Sequence, residues 1–61
     1  MKCKIYIVQG MTIISREFNS PEFMINWYKS NYINSFGFVI YRGFLFKIFT
    51  DGNLNVCISK Y

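Results

Sequence analysis

Apolar and polar residues alternate along most of this chain, and the alternation is interrupted once. From Lys2 to Val8 the period is two. Cys3, Ile5 and Ile7 fall on one face and Lys4, Tyr6 and Val8 on the other, which predicts a strand. Gln9-Gly10 is a turn signal, because glycine supplies the positive φ of a tight hairpin. Met11 to Phe18 predicts a second strand, with Ile14 and Phe18 inward and Ser15 and Glu17 outward. Ile13 and Arg16 spoil its alternation; a bulge accounts for that, and so does a strand partly exposed on both faces.

The interruption is a helix. Ser20 stands at the N-cap, where its hydroxyl can accept from the first turn, and Pro21 follows where a missing N–H costs nothing. Glu22 adds negative charge at the positive end of the helix dipole. The helix is predicted from about Pro21 to Ile33. At 100° per residue, Phe23, Trp27, Asn31, Met24, Tyr28, Tyr32 and Ile25 cover one broad arc, opposite a narrow polar face of Glu22, Asn26, Lys29 and Ser30. That arc is wider than one sheet contact requires, so one flank is left outside: either Phe23 and Trp27 or Ile25 and Tyr32. Asn34-Ser35 ends the helix, asparagine being a tolerated left-handed cap.

Alternation then resumes. Phe36 to Tyr41 predicts a third strand with Phe38 and Ile40 inward, and Arg42-Gly43 a turn. Phe44 to Phe49 predicts a fourth, with Phe44, Phe46 and Ile48 inward. Thr50-Asp51-Gly52-Asn53 is the strongest turn signal in the chain. Leu54 to Lys60 predicts a fifth strand, with Leu54, Val56 and Ile58 inward. The order β-β-α-β-β-β with short links implies an α+β class: one domain, residues 1–61, with a small antiparallel β-sheet and one covering helix.

A chain of 61 residues buries only about 60% of the surface of its unfolded form, so it depends on apolar content, staples or a partner. Here hydrophobic residues are 52% of the total. Seven Phe, five Tyr and one Trp exceed what one thin core layer holds, which leaves some rings for an exposed surface or interface. The net charge of +4 favours acidic partners but forms no basic run of the nucleic-acid-tail kind. Two cysteines, Cys3 and Cys57, are fewer than a disulfide-framed miniprotein of this length carries. The opening residues are too short and too strand-like for a signal peptide, and no apolar run approaches the ~20 residues of a membrane span. The expectation is a soluble cytosolic protein with reduced thiols.

Catalytic equipment is missing. There is no histidine. Glu17, Glu22 and Asp51 belong to a strand face, a helix start and a turn, so no acid–base pair has a reason to converge. Cys57 lacks a histidine to activate it, and two cysteines without histidine make no typical zinc site. The glycines read as turn or strand residues, not a phosphate loop. No enzyme, metal or cofactor is expected.

Two surfaces remain. Lys4, Tyr6, Tyr41, Lys47 and Tyr61 are expected on the outward face of the sheet, with Leu45 and Phe49 nearby. Aromatics between cations on an open sheet can stack single-stranded bases. Against that, no ribonucleoprotein-type motif is read in the chain, and strand propensity with Lys47 as a guard against edge pairing explains the same residues. The second surface is the helix flank: Phe23, Trp27, Tyr28 and Tyr32, with Lys29 beside them, are residue types that anchor protein interfaces, although a lone Trp in so short a chain also suits the core.

The run Arg16-Glu17-Phe18-Asn19, then Ile25-Asn26-Trp27 and Ser30-Asn31-Tyr32, resembles the phage antitoxin family Dmd, the discriminators of mRNA degradation. So do the alternating start that ends in Gly10, and Phe49-Thr-Asp51 followed by Val56-Cys57. The resemblance implies a phage-encoded inhibitor, acting in the host cytoplasm, that neutralises a bacterial defence factor by direct protein–protein contact. The factor would be a toxin endoribonuclease or another anti-phage enzyme such as a CRISPR effector. On that expectation the partner-binding residues are Phe23, Trp27, Tyr28, Tyr32 and Lys29. A homodimer would compete for the same surface. The alternative expectation is a small basic protein that binds single-stranded nucleic acid through Lys4, Tyr6, Tyr41 and Lys47.

Overall fold

The structure, a computed structural model, describes residues 2–61. It is α+β: strands β1 (Cys3–Gln9) and β2 (Thr12–Phe18), helix α1 (Pro21–Asn31), and strands β3 (Phe36–Tyr41), β4 (Phe44–Thr50) and β5 (Val56–Lys60). The strands form one sheet in the order β2-β1-β3-β4-β5, and every neighbouring pair is antiparallel. The link through α1 carries the chain across β1, so β3 becomes the central strand, between β1 and β4.

Local chemistry sets the turns. Gly10, at φ 58°, takes the first position of the two-residue β1–β2 loop. Arg42 and Gly43, at φ 55° and 80°, are both left-handed, the pairing that a two-residue hairpin needs to match strand twist. Ser20 has an extended backbone and its hydroxyl accepts from the Phe23 N–H at 3.5 Å. The helix stops at Asn31, two residues short of the expected end. There the Asn31 amide donates back to the Trp27 carbonyl at 2.9 Å, and Tyr32 leaves helical geometry.

One face of the sheet carries the helix. Cys3, Ile5, Ile7, Val39 and Ile48 on that face and Met24 and Tyr28 on α1 are fully buried. Phe18, Ile14, Ile25, Trp27, Tyr32, Tyr41, Phe46 and Val56 pack around them. Helix α1 lies chiefly over β2 and β1. Phe44, though on the predicted face, therefore remains exposed beyond it. The second strand has no bulge: seven consecutive pairs run from Cys3–Phe18 to Gln9–Thr12. It is an edge strand exposed on both sides. Ile13 points away from the helix, 66% exposed, while Arg16 lies on the helix side with its guanidinium 5.4 Å from the Phe18 ring and 5.5 Å from Trp27.

Two inward assignments are corrected. In β3 the residues facing the helix are Gly37, Val39 and Tyr41, opposite Ile7, Ile5 and Cys3; Phe38 and Ile40 point the other way. The reason is the backbone at Gly37. A Cβ there would collide with the Tyr6 carbonyl and lie 3.1 Å from Ile7 Cδ1, so no residue with a side chain fits this close approach. Leu54 is also not inward. It stands in the β4–β5 turn at φ 64°, 61% exposed, because Asp51 organises a longer turn than expected. Asp51 Oδ1 accepts from the N–H groups of Asn53 and Asn55, at 2.9 Å each, and β5 starts only at Val56.

Gly37→Ala is expected to lower stability by about 2–3 kcal/mol, the scale of overpacking against backbone that cannot yield. Gly52→Ala, where nothing lies within 4 Å, is expected to stay within about 0.5 kcal/mol. Denaturant midpoints of the two variants check the contrast.

Candidate functional site

The face of the sheet away from α1 is bare. Period-two alternation places Lys4, Tyr6 and Val8 of β1 there, with Ile13, Ser15 and Glu17 of β2 and Phe36, Phe38 and Ile40 of β3. Leu45, Lys47 and Phe49 of β4 and Cys57 and Ser59 of β5 complete it. Tyr61 joins this face through its N–H, which donates to the Leu45 carbonyl at 3.1 Å. None of these side chains belongs to the buried core.

The central row of the face is Ser15–Tyr6–Phe38–Lys47–Ser59, each residue directly opposite the next across the ladders. Directly opposed side chains on one face have Cβ atoms about 4.5–5.5 Å apart. Tyr6 and Phe38 are therefore cross-strand neighbours on β1 and β3. Phe36, 49% exposed, meets Phe38 edge-on at 6.3 Å, and the Tyr61 ring lies 5.9 Å from Phe38. Cations stand over rings at two places: Lys4 Nζ is 5.4 Å from Tyr6 and Lys47 Nζ 5.3 Å from Phe49. Glu17 also lies here, paired with Lys2 at 3.7 Å in a solvent-exposed bridge that is worth little.

Of the residues expected to bind nucleic acid, Lys4, Tyr6 and Lys47 are thus brought onto one face. Tyr41 is not. It pairs with Cys3, shares its parity, and packs against the core with the Arg42 guanidinium 5.3 Å from its ring. Sequence reasoning missed Phe36 and Phe38, and the signal was present. Phe36-Gly-Phe-Val-Ile-Tyr41 satisfies the last six positions of the pattern basic-Gly-aromatic-Gly/Ala-Phe-Val-x-aromatic that RNA-binding sheets carry on a central strand. The expectation that no such motif exists is corrected on this point. Asn34 and Ser35 stand where the pattern has a basic residue and glycine, and this sheet has five strands, not four.

The helix flank is dispersed. Tyr28, expected to touch a partner, is fully enclosed. Its hydroxyl donates to the Ser35 carbonyl and pairs with Thr50 Oγ1 at 3.3 Å, tying the α1–β3 link to the end of β4. Trp27 is half-buried between Phe18, at 5.4 Å, and Tyr32, at 5.0 Å, under the Arg16 guanidinium. Phe23, 64% exposed, and Lys29 remain free on the surface.

The acidic groups occupy separate elements, and among the described residues no cluster of three or more His, Cys, Asp or Glu could hold a metal ion. Both cysteines are free; burial pushes the Cys3 thiol up, away from the reactive thiolate. The N–H groups of Asn55 and Asn53 hold the Asp51 carboxyl below its usual range. No helix among the described residues is long and apolar enough to cross a membrane. Compared with known proteins, the chain matches no family model, no curated protein and no solved structure.

Tyr28→Phe is expected to cost about 1–2 kcal/mol, because it leaves the Ser35 carbonyl and Thr50 hydroxyl without their shared partner. Since the native Asp51 carboxyl is lowered, its contribution to stability is complete above the unfolded value near pH 4 and is lost as pH falls through the native one. Thermal midpoints measured against pH are therefore expected to drop on the acid side, and to drop less in Asp51→Asn.

Proposed function

We propose that this chain is a small non-enzymatic binding protein whose open sheet face takes single-stranded nucleic acid. The observation that carries the reading is the ring cluster on the open face, where Phe38 meets Phe36 and Tyr61, with Tyr6 opposite it on β1 and Lys4 and Lys47 flanking. Every base has a π-face, so exposed rings on a rigid sheet give stacking platforms without a sequence requirement. A sheet of this kind stacks two or three bases, and the lysines supply charge for the backbone phosphates between them. The rings lie outside the buried core: Phe36 and Tyr61 are exposed, and Tyr6 and Phe38 are half-buried on the open face.

A second reading has support of its own. Phe23 is exposed on the helix next to the Trp27–Tyr32 ridge, and the sequence resembles the Dmd antitoxins. On this reading the protein is a phage-type inhibitor that covers a host defence enzyme, with Phe23 as the anchor and Lys29 assisting encounter with an acidic surface. A pull-down from bacterial lysate decides it. Stoichiometric retention of one host protein, lost in Phe23→Ala but kept in Tyr6→Ala, is the expected result; retention of none removes the inhibitor.

For the primary reading, titration of fluorescent single-stranded oligonucleotides at low salt is expected to show binding. Tyr6→Ala and Phe38→Ala should each weaken it by about 1–3 kcal/mol, with the thermal midpoint checking that each variant is still folded. Lys4→Ala and Lys47→Ala should each flatten the salt dependence by close to one phosphate contact, about 0.7 in the slope of log K against log salt. A salt-independent affinity, or none, would exclude phosphate-backed stacking.

A further inference from the structure

At one end of the open face a pocket of about 210 Å³ leads off between the α1–β3 link and the β4–β5 turn. Phe36 and Phe49 form the wall it shares with the face, while Asn34, Ser35, Thr50 and Asp51 line its polar side. It is smaller than the ~300–1,000 Å³ of a drug-sized ligand site, and so is scaled to a single ring system. We infer that this pocket reads the edge of one base, and that it selects a base bearing an exocyclic amino group, cytosine above uracil. The inference rests on the stacking reading of the open face and names the specificity of that site.

The chemistry lies in Asp51. A carboxylate is an acceptor only, with room for about four donors over its two oxygens. Oδ1 is occupied by two backbone N–H groups at 2.9 Å, whereas Oδ2 has only the Asn55 amide at 3.5 Å and keeps acceptor capacity. The N4 amino group of cytosine is a donor that aspartate accepts. Uracil has a carbonyl oxygen at that position, which the carboxylate repels. An aspartate carboxyl is ionised at neutral pH, and the turn N–H groups lower this one further.

The walls are fixed from beneath. The buried Tyr28 hydroxyl joins Ser35 on one side of the pocket to Thr50 on the other. The Leu54 N–H donates to the Asp51 carbonyl at 3.1 Å and holds Leu54, a branched residue, in the left-handed region on the rim. Backbone strain of this kind in a residue other than glycine is found at ligand clamps.

The test compares an eight-residue oligouridine with the same oligomer carrying one cytidine, since the two pyrimidines are of matched size. Wild-type protein is expected to bind the cytidine-bearing oligomer about fivefold to tenfold more tightly. Asp51→Asn keeps an acceptor for the turn but puts an NH₂ donor in place of Oδ2, so its preference is expected to vanish or to reverse toward uridine, with the thermal midpoint confirming folding. Equal wild-type affinity for the two oligomers, with binding still lost in Phe38→Ala, overturns the pocket and leaves the stacking face standing. Binding of neither oligomer at low salt overturns both.

Discussion

The approach of β1 and β3 at Gly37 determines the sidedness of the molecule. The Tyr6 carbonyl stands where a Cβ on residue 37 would be, so only glycine can occupy that ladder position. A one-residue shift of β3 would drive Phe36 or Phe38 into the same space and exchange the faces of the whole strand. With the register fixed, Val39 and Tyr41 complete the layer beneath the helix, and Phe36 and Phe38 are turned outward. The core and the candidate binding face are thus two consequences of one backbone contact.

Tyr28 performs the matching task at the end of the sheet. Its ring fills the core, while its hydroxyl satisfies a carbonyl in the α1–β3 link and a threonine at the end of β4. A buried hydroxyl left unpaired would be costly, so this one keeps its partners and fixes the distance between two loops. Helix packing and the shape of the terminal pocket are therefore coupled, although no helix residue other than this one reaches that far through a side-chain hydrogen bond among the described residues.

A chain this short ordinarily commits its large apolar residues to the core. Here Ile13, Phe36, Ile40, Leu45 and Tyr61 remain exposed on one continuous face, while seven buried residues form the core on the helix side and Phe44 and Ile58 stay exposed beyond the helix. Rings on adjacent strands with lysines among them form a surface that water solvates poorly, and such a surface is more often a binding site than an accident of composition.

Much of the fold was legible in the sequence. Period-two alternation gave β1, the Ser20-Pro21 start gave the helix, and the glycine-bearing turns gave the strand order along the chain, because each depends on neighbouring residues only. The parity of β3 was not legible: Phe36 to Tyr41 is apolar at every side-chain-bearing position, so alternation carries no information there, and the contact between Gly37 and Tyr6 is long-range. Tyr28 and Trp27 share one helical arc and differ in fate because the sheet lies under one and its edge beside the other. Lys4, Tyr6 and Lys47 were identifiable as residue types, but joining them to Phe38 required β1 to pair with β3 across the intervening hairpin and helix. The sequence by itself determined which segments are strands and which is the helix, since local propensity and capping fix those; only the tertiary structure decided which rings are core and which are surface, since that follows from register between segments that are distant in the chain.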